Sequence, residues 1–224
     1  MKDKLVLFCR DNAWFLLTAV AAVVFGCCLH LSLGKTGSHV FLNSAHTPGL
    51  DIFFKYFTEL GGGLPSYIGA AILLISLRGG FYVLSTQLLN LLLTHAIKIP
   101  VGAPRPVTYF HELGLQLPPV VEGVDLHVTD SFPSGHTSAA FAFCLCISAM
   151  LPKRWQPAGC LLALLACLGG YSRVYLSQHF LEDILLGAVI GMVSAIIMYM
   201  ALYGNKRAIT DKGLIRLITE RRKN

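Results

Sequence analysis

Three short stretches of this chain carry side chains suited to a phosphate. Lys98 is followed by Arg105 and Pro106, then comes Pro133-Ser134-Gly135-His136, and then Ser172-Arg173 with His179 and Asp183 beyond it. A phosphate monoester is close to a dianion near neutral pH. Its transfer needs charge stabilisation on the non-bridging oxygens, an in-line nucleophile and a proton for the leaving oxygen. Lys98, Arg105 and Arg173 are three cations for the first task. Arginine grips phosphate oxygens through two N–H groups at once, and lysine acts as a point charge. With cations in that number no metal and no cofactor are expected.

His179 and Asp183 are four apart, so on a helix the carboxylate reaches the imidazole one turn away. Such a carboxylate fixes the ring tautomer and leaves the other nitrogen free to attack. His179 is therefore the expected nucleophile, through a phosphohistidine, with Asp183 orienting it. His136 is the expected general acid on the leaving oxygen and then the base for water. Ser134 is a natural N-cap, and Gly135 lets an oxyanion approach the backbone at the dipole-positive end of a helix. Glu182 projects about 100° away from Asp183 on a helix and is left out. His30, His39 and His46 have no matching partners in sequence, His95 lies one turn before Lys98, and His111 and His127 fall in a long polar connection.

These clusters must be positioned by apolar elements. The 224 residues are 54% apolar and 13% charged, whereas soluble domains carry about 25% charged residues. That is too little charge for a water-facing surface, so an all-α integral membrane protein is expected, with residues 1–224 as one domain. Spanning helices need about 20 apolar residues. Six segments approach this: 13–33, 61–77, 80–97, 137–151, 157–171 and 184–203. The first is longer than the apolar run of a signal peptide and is read as a retained helix. Residues 51–60, with Asp51, Lys55 and Glu59 four apart and Phe53, Phe54 and Phe57 on another face, suggest an amphipathic helix in the interface. Residues 214–218 suggest a short surface helix. Gly187 and Gly191 permit close helix packing, within the chain or between copies.

Lysines and arginines mark the cytoplasmic side. Lys2, Lys4 and Arg10, Arg78, Lys153 and Arg154, and the basic tail 204–224 all fall on one side if both termini are cytoplasmic. All three phosphate clusters then reach the other face. The net charge of +6 resides largely in that tail, which suits anionic headgroups. No basic stripe with interleaved aromatics suggests nucleic acid. The seven cysteines lie in or beside apolar segments and are read as packing residues. Charge gathers at one face instead of along a pathway through the spans, which argues against a lipid or phosphate transporter.

Taken together the clusters resemble the type 2 phosphatidic acid phosphatase superfamily, over about residues 51–202. Its pattern is met at Lys98, Arg105, Pro106, Pro133, Ser134, Gly135, His136, Ser172, Arg173, His179 and Asp183. The resemblance implies a six-helix membrane bundle, metal-independent dephosphorylation, Ser134 and the Gly135 amide as phosphate donors, and Ser172 lining the site. It also implies a multi-pass bacterial inner-membrane enzyme with a periplasmic site. Phosphatidylglycerophosphate, undecaprenyl diphosphate and lipid A are the candidate substrates. The aromatic helix and the mixed-charge loop at 107–132 favour a large amphiphile, lipid A or undecaprenyl diphosphate. Transfer of the phosphoryl group to another lipid shares the phosphohistidine step and is the alternative. The expected partners are the lipid phosphate and the bilayer, with no obligate protein partner.

Overall fold

The computed structural model describes residues 2–203 and 211–216. Most of the basic tail, including Lys206, Arg207, Arg221, Arg222 and Lys223, lies outside the described residues. Among the described residues the chain is all helix. The order is α1 (Lys2–Asp11), α2 (Ala13–Leu42), α3 (Pro48–Phe57), a 3₁₀ turn (Thr58–Gly61), α4 (Leu64–Ile75), α5 (Leu77–Val101), α6 (Pro106–Glu112), α7 (Gly135–Met150), a second 3₁₀ turn (Lys153–Trp155), α8 (Ala158–Tyr175) and α9 (Leu181–Tyr203).

Local chemistry sets the ends. Ser76 and Ser134 cap α5 and α7, accepting from Gly79 N (3.1 Å) and Thr137 N (3.3 Å), which satisfies orphan donors of the first turn. Thr47 does the same for α3, with Pro48 following. α5 stops where Gly102 turns left-handed at φ 54° and donates to Lys98 O, a glycine C-cap.

Four helices, α2, the α5–α6 stretch, α8 and α9, are long and apolar enough to cross a membrane, and the α3–α4 pair adds a fifth if counted as one bent span. α7 has 16 residues, roughly 24 Å at about 1.5 Å per residue, short of the hydrocarbon thickness of about 30 Å. Against the six spans expected, the described residues give four helices of spanning length, five if the bent pair is one span, and the short α7 beside them. α7 tolerates its length because it is the core helix, packed against α9, α8, α5 and α4, with Phe141, Cys144, Leu145 and Cys146 all buried.

Several boundaries differ from the hydropathy reading. α2 runs on to Leu42, with an internal break at Gly34 (φ 67°). α8 continues four residues past Tyr171 and carries Ser172 and Arg173 on its last turn. The amphipathic stretch is a separate helix, α3, set at 52° to α4. Residues 106–112, expected as loop, form α6, and of the expected surface helix 214–218, residues 214–216 are helical and the rest lies outside the described residues.

Gly187 and Gly191 serve packing within the chain. A Cβ at Gly187 would come 2.7 Å from Ser134 O, and one at Gly191 2.2 Å from Ser138 O. Only glycine lets α9 lie this close to α7. The two ends of the bundle are chemically distinct. At one, Arg78 pairs with Asp211 (3.3 Å), Ser148 donates to Asn12 (2.9 Å) and Gly159 abuts Phe15. Lys153, Arg154 and the N-terminal basic residues belong to this end. The phosphate clusters meet at the other.

Candidate active site

The turn between α8 and α9 positions His179. Gln178 N and His179 N both donate to Arg173 O (2.9 and 3.1 Å), and Ser177 adopts φ 51°. The Asn43 amide, arriving from the end of α2, donates to Val174 O (3.0 Å), Tyr175 O (2.9 Å) and Ser177 Oγ (3.0 Å). One side chain thus satisfies the last carbonyls of α8 and anchors the turn. His46 backs this clamp. It contacts Asn43 (3.2 Å) and Asp51 (2.9 Å), stacks on Tyr175 at 4.2 Å, and Tyr175 in turn donates to Asp51.

Asp183 is almost fully buried, and its Oδ2 gathers three contacts: Ser131 Oγ at 2.5 Å, Phe180 N at 2.9 Å and His179 Nδ1 at 3.3 Å. Ser134 N donates to Asp183 O (3.0 Å) and joins the start of α7 to that of α9. On the far side of the ring, His179 Nε2 lies 3.5 Å from Arg105 Nη1. A guanidinium has no lone pair to give. Nε2 is therefore the acceptor, and the ring proton sits on Nδ1 toward Asp183. His179 is 1% exposed. Burial first, then the Arg173, Arg105 and Lys98 charges, push its pKa well below the ordinary histidine value. The ring is neutral, with an unprotonated nitrogen facing the cations.

Those cations are held by neutral oxygens. Lys98 Nζ donates to Asp130 O (2.9 Å). Arg105 donates to Thr129 O (2.8 Å), Gln178 O (3.1 Å) and Gln178 Oε1 (3.1 Å). Arg173 Nη1 donates to Thr58 Oγ1 (2.7 Å), and its buried Nε has no partner. Among the described residues none of the three pairs with a carboxylate within 4.0 Å. Asp130 adopts φ 58°, a left-handed conformation that costs a non-glycine residue energy and here turns its carbonyl toward Lys98. Charges paired with dipoles keep their field for a ligand.

Lys98, Arg105, Gly135, His136, Arg173 and His179 line one cavity of about 590 Å³, which His95 and His127 also reach. Ser134, Ser172 and Asp183 stand behind its wall. Ser134 Oγ accepts from Thr137, and Ser172 Oγ donates to Gly169 O (2.6 Å). Glu182 turns to α2, pairing with Lys35 (2.8 Å) and His30 (3.4 Å). Sequence reasoning missed Asn43, Thr58, Ser131 and Gln178. Gln178 ties Arg105 to the loop, donating to Asp125 O at 2.9 Å. Its position beside His179 was its one available signal. His39 is buried with both ring nitrogens unpartnered and packs edge-on to Phe180 at 5.2 Å. Among the described residues no group of three or more His, Cys, Asp or Glu is placed to hold a metal ion.

The family model described as PAP2 superfamily matches residues 79–207, a stretch that contains every candidate site residue from Lys98 to Asp183. Lipid phosphate phosphatase 1 of Arabidopsis thaliana is 34% identical over 144 residues, 55% of this chain and 44% of that protein. The match thus spans less than half the length of that relative. The crystal structure of Aquifex aeolicus LpxE is similar with a TM-score of 0.62 and 27% identity, covering 73% of this chain and 93% of that one. A transmembrane PAP2-type phosphatidylglycerolphosphate phosphatase from Bacillus subtilis shares the fold, with a TM-score of 0.56 and 21% identity over 85% of this chain and 98% of the other.

Proposed function

The chain belongs to the PAP2 superfamily, and from that premise we propose that it is a membrane lipid phosphate phosphatase working through a phosphohistidine. His179 Nε2 attacks phosphorus in line, and the oxygen–phosphorus bond to the lipid breaks. His136, at the cavity wall beside Gly135, gives a proton to the leaving oxygen. It then takes one from the water that attacks the phosphohistidine, which releases inorganic phosphate. Asp183 holds the Nδ1 proton and stabilises the ring as charge builds on it. Lys98, Arg105 and Arg173 neutralise the non-bridging oxygens, with the Gly135 amide at the helix start as a further donor. Ser134 and Ser172 act from behind the wall by fixing the starts and ends of α7 and α8.

The observation that carries this reading is the unprotonated Nε2 of a buried, neutral histidine facing three cations that no carboxylate among the described residues pairs with. The positive-inside rule supports a site on the outer face, periplasmic in a bacterial inner membrane, since the basic residues gather at the opposite end. The aromatic α3 and the 107–132 loop support a large amphiphile, lipid A or undecaprenyl diphosphate. Purified protein in detergent should release phosphate from lipid phosphates in the presence of EDTA, and His179→Ala should abolish release. Full activity in that variant overturns the mechanism.

A further inference from the structure

The cavity holds more than the reaction of one phosphate uses. Four of its lining residues are histidines: His95, His127, His136 and His179. His136 and His179 serve the phosphoryl transfer, and the other two have no part in it. Among the described residues no aspartate or glutamate lines the same space. Both extra histidines are exposed, and among the described residues neither pairs with a carboxylate within 4.0 Å.

The two are set in place differently. On α5, Leu84, Leu88, Leu91, His95 and Lys98 line the cavity in succession. Residues three or four apart share a helix face, so this face runs from leucines, past His95, to a cation. His95 Nδ1 lies 2.9 Å from Leu91 O. A carbonyl oxygen only accepts, so Nδ1 carries a proton and Nε2 is the nitrogen left for a ligand. His127 comes from the connection between α6 and α7, and its neighbours are pinned to the site. Asp125 O accepts from Gln178 (2.9 Å), Val128 O from Arg105 N (3.0 Å) and Thr129 O from Arg105 Nε (2.8 Å). A lipid phosphate with its phosphorus at His179 leads its chain away from the cations, and the leucine end of the α5 face is the apolar way out. The group joined to the scissile phosphate then passes His95.

We propose that His95 and His127 form a second anion subsite, which holds a phosphate joined to the scissile one and makes the enzyme prefer lipid diphosphates to lipid monophosphates. This rests on the phosphatase reading and narrows its substrate class. A diphosphate brings negative charge beyond what the three cations and Asp183 balance. Imidazoles, which gain a proton beside an anion, supply the counter-charge. His179 Nε2 attacks the terminal phosphorus, and the bond from that phosphorus to the bridging oxygen breaks. The bridging oxygen keeps the electron pair and takes the proton of His136, so the lipid leaves as its monophosphate. Water returns a proton to His136 and hydrolyses the phosphohistidine to inorganic phosphate.

The test compares farnesyl diphosphate with farnesyl phosphate, which share one chain. The readout is the ratio of kcat/KM for the two lipids in the same micelles. The wild type should favour the diphosphate. The double variant His95→Gln with His127→Gln should lower the ratio about tenfold, the worth of one charge-assisted hydrogen bond. Either single variant carries the comparison if the double one does not fold. An unchanged ratio, or no preference for the diphosphate in the wild type, overturns the proposal. If the wild type cleaves neither lipid, the phosphatase reading fails by itself. The subsite is then judged by thermal unfolding with methylenediphosphonate, whose P–C–P link is not hydrolysed. It should raise Tm more than inorganic phosphate does in the wild type and not in the double variant, and equal shifts in the wild type overturn the subsite.

Discussion

Arg105→Lys separates charge from geometry. The substitution keeps one positive charge at the site but removes the planar fork. Arg105 uses that fork to hold Thr129 O on one side and both oxygens of Gln178 on the other, at 2.8, 3.1 and 3.1 Å. A lysine ammonium at the end of a flexible stem can keep one of these groups. Two hydrogen bonds from a charged donor are then lost, each worth about 1.5–3 kcal/mol. Their sum is about 3–6 kcal/mol, which corresponds to roughly 10²–10⁴ in rate if expressed fully in the transition state. Lysine retains part of the field, so the expected loss in kcat/KM is at the lower end, about 10²-fold. Phosphate release from a short-chain lipid phosphate, with thermal unfolding as the check on folding, measures it. If Arg105→Lys keeps a third or more of the wild-type kcat/KM, the guanidinium acts as a point charge, and the clamp on Gln178 and His179 is not part of catalysis.

Three further outcomes are expected. His179 must be neutral to attack, and its pKa is pushed down by burial and by three cations. Activity should therefore be lost on acidification only below about pH 6.5, the ordinary histidine value; removing one cation by Lys98→Met should move that acid limb upward in a pH–kcat/KM profile, and a stationary limb refutes the coupling. Thr58→Val removes the hydroxyl that accepts from Arg173 at 2.7 Å and should cost about tenfold in kcat/KM, since a lost bond to a charged group is worth about 1.5 kcal/mol or more. Gly191→Ala drives a methyl to 2.2 Å from Ser138 O and should destabilise the protein by about 1–3 kcal/mol, seen as a lower Tm in detergent; an unchanged Tm contradicts the close α7–α9 packing.

What could be read from the sequence was what lies within one turn or one motif. The His179–Asp183 pair is local, so spacing predicted the contact seen at 3.3 Å, but not its geometry: α9 begins only at Leu181, and His179 reaches Asp183 from the turn before the helix and not from the same helical face. The cations sit at the edges of apolar runs, and hydropathy therefore placed them at one end of the bundle. The missing parts are long-range and polar. Asn43 reaches Val174 and Tyr175 from more than a hundred residues away, and Thr58 meets Arg173 at a similar distance in sequence. Neither contact leaves a period or a motif. Helix ends failed where motif residues extend the helix. Ser172 and Arg173 lower the hydropathy of the last turn of α8, yet they are helical because α8 is packed on α7 and α2 there. The short α7 could not be told from a spanning helix by composition, since burial in protein and burial in lipid select the same side chains.

The charge balance of the site points the same way as its geometry. Lys98, Arg105 and Arg173 contribute three positive charges, and Asp183 beside His179 contributes one negative charge. With His136 neutral in the free site, the excess of two matches the charge of a phosphate monoester near neutral pH, and the proton that His136 donates is taken up as the phosphate binds. A protein that needed these cations only for stability would pair them with carboxylates, because an unpaired buried charge is costly. Here the fold presents backbone carbonyls, a hydroxyl and an amide oxygen instead, and it accepts left-handed backbone at Asp130 and Ser177 around them. A neutral Nε2 at the focus of that field is stabilised as a nucleophile and repelled as a base toward protons. A dianion in the site offsets the share of that effect due to the cations and leaves the larger share due to burial. The same phosphate that His179 attacks therefore also prepares the imidazole to carry the positive charge of a phosphohistidine.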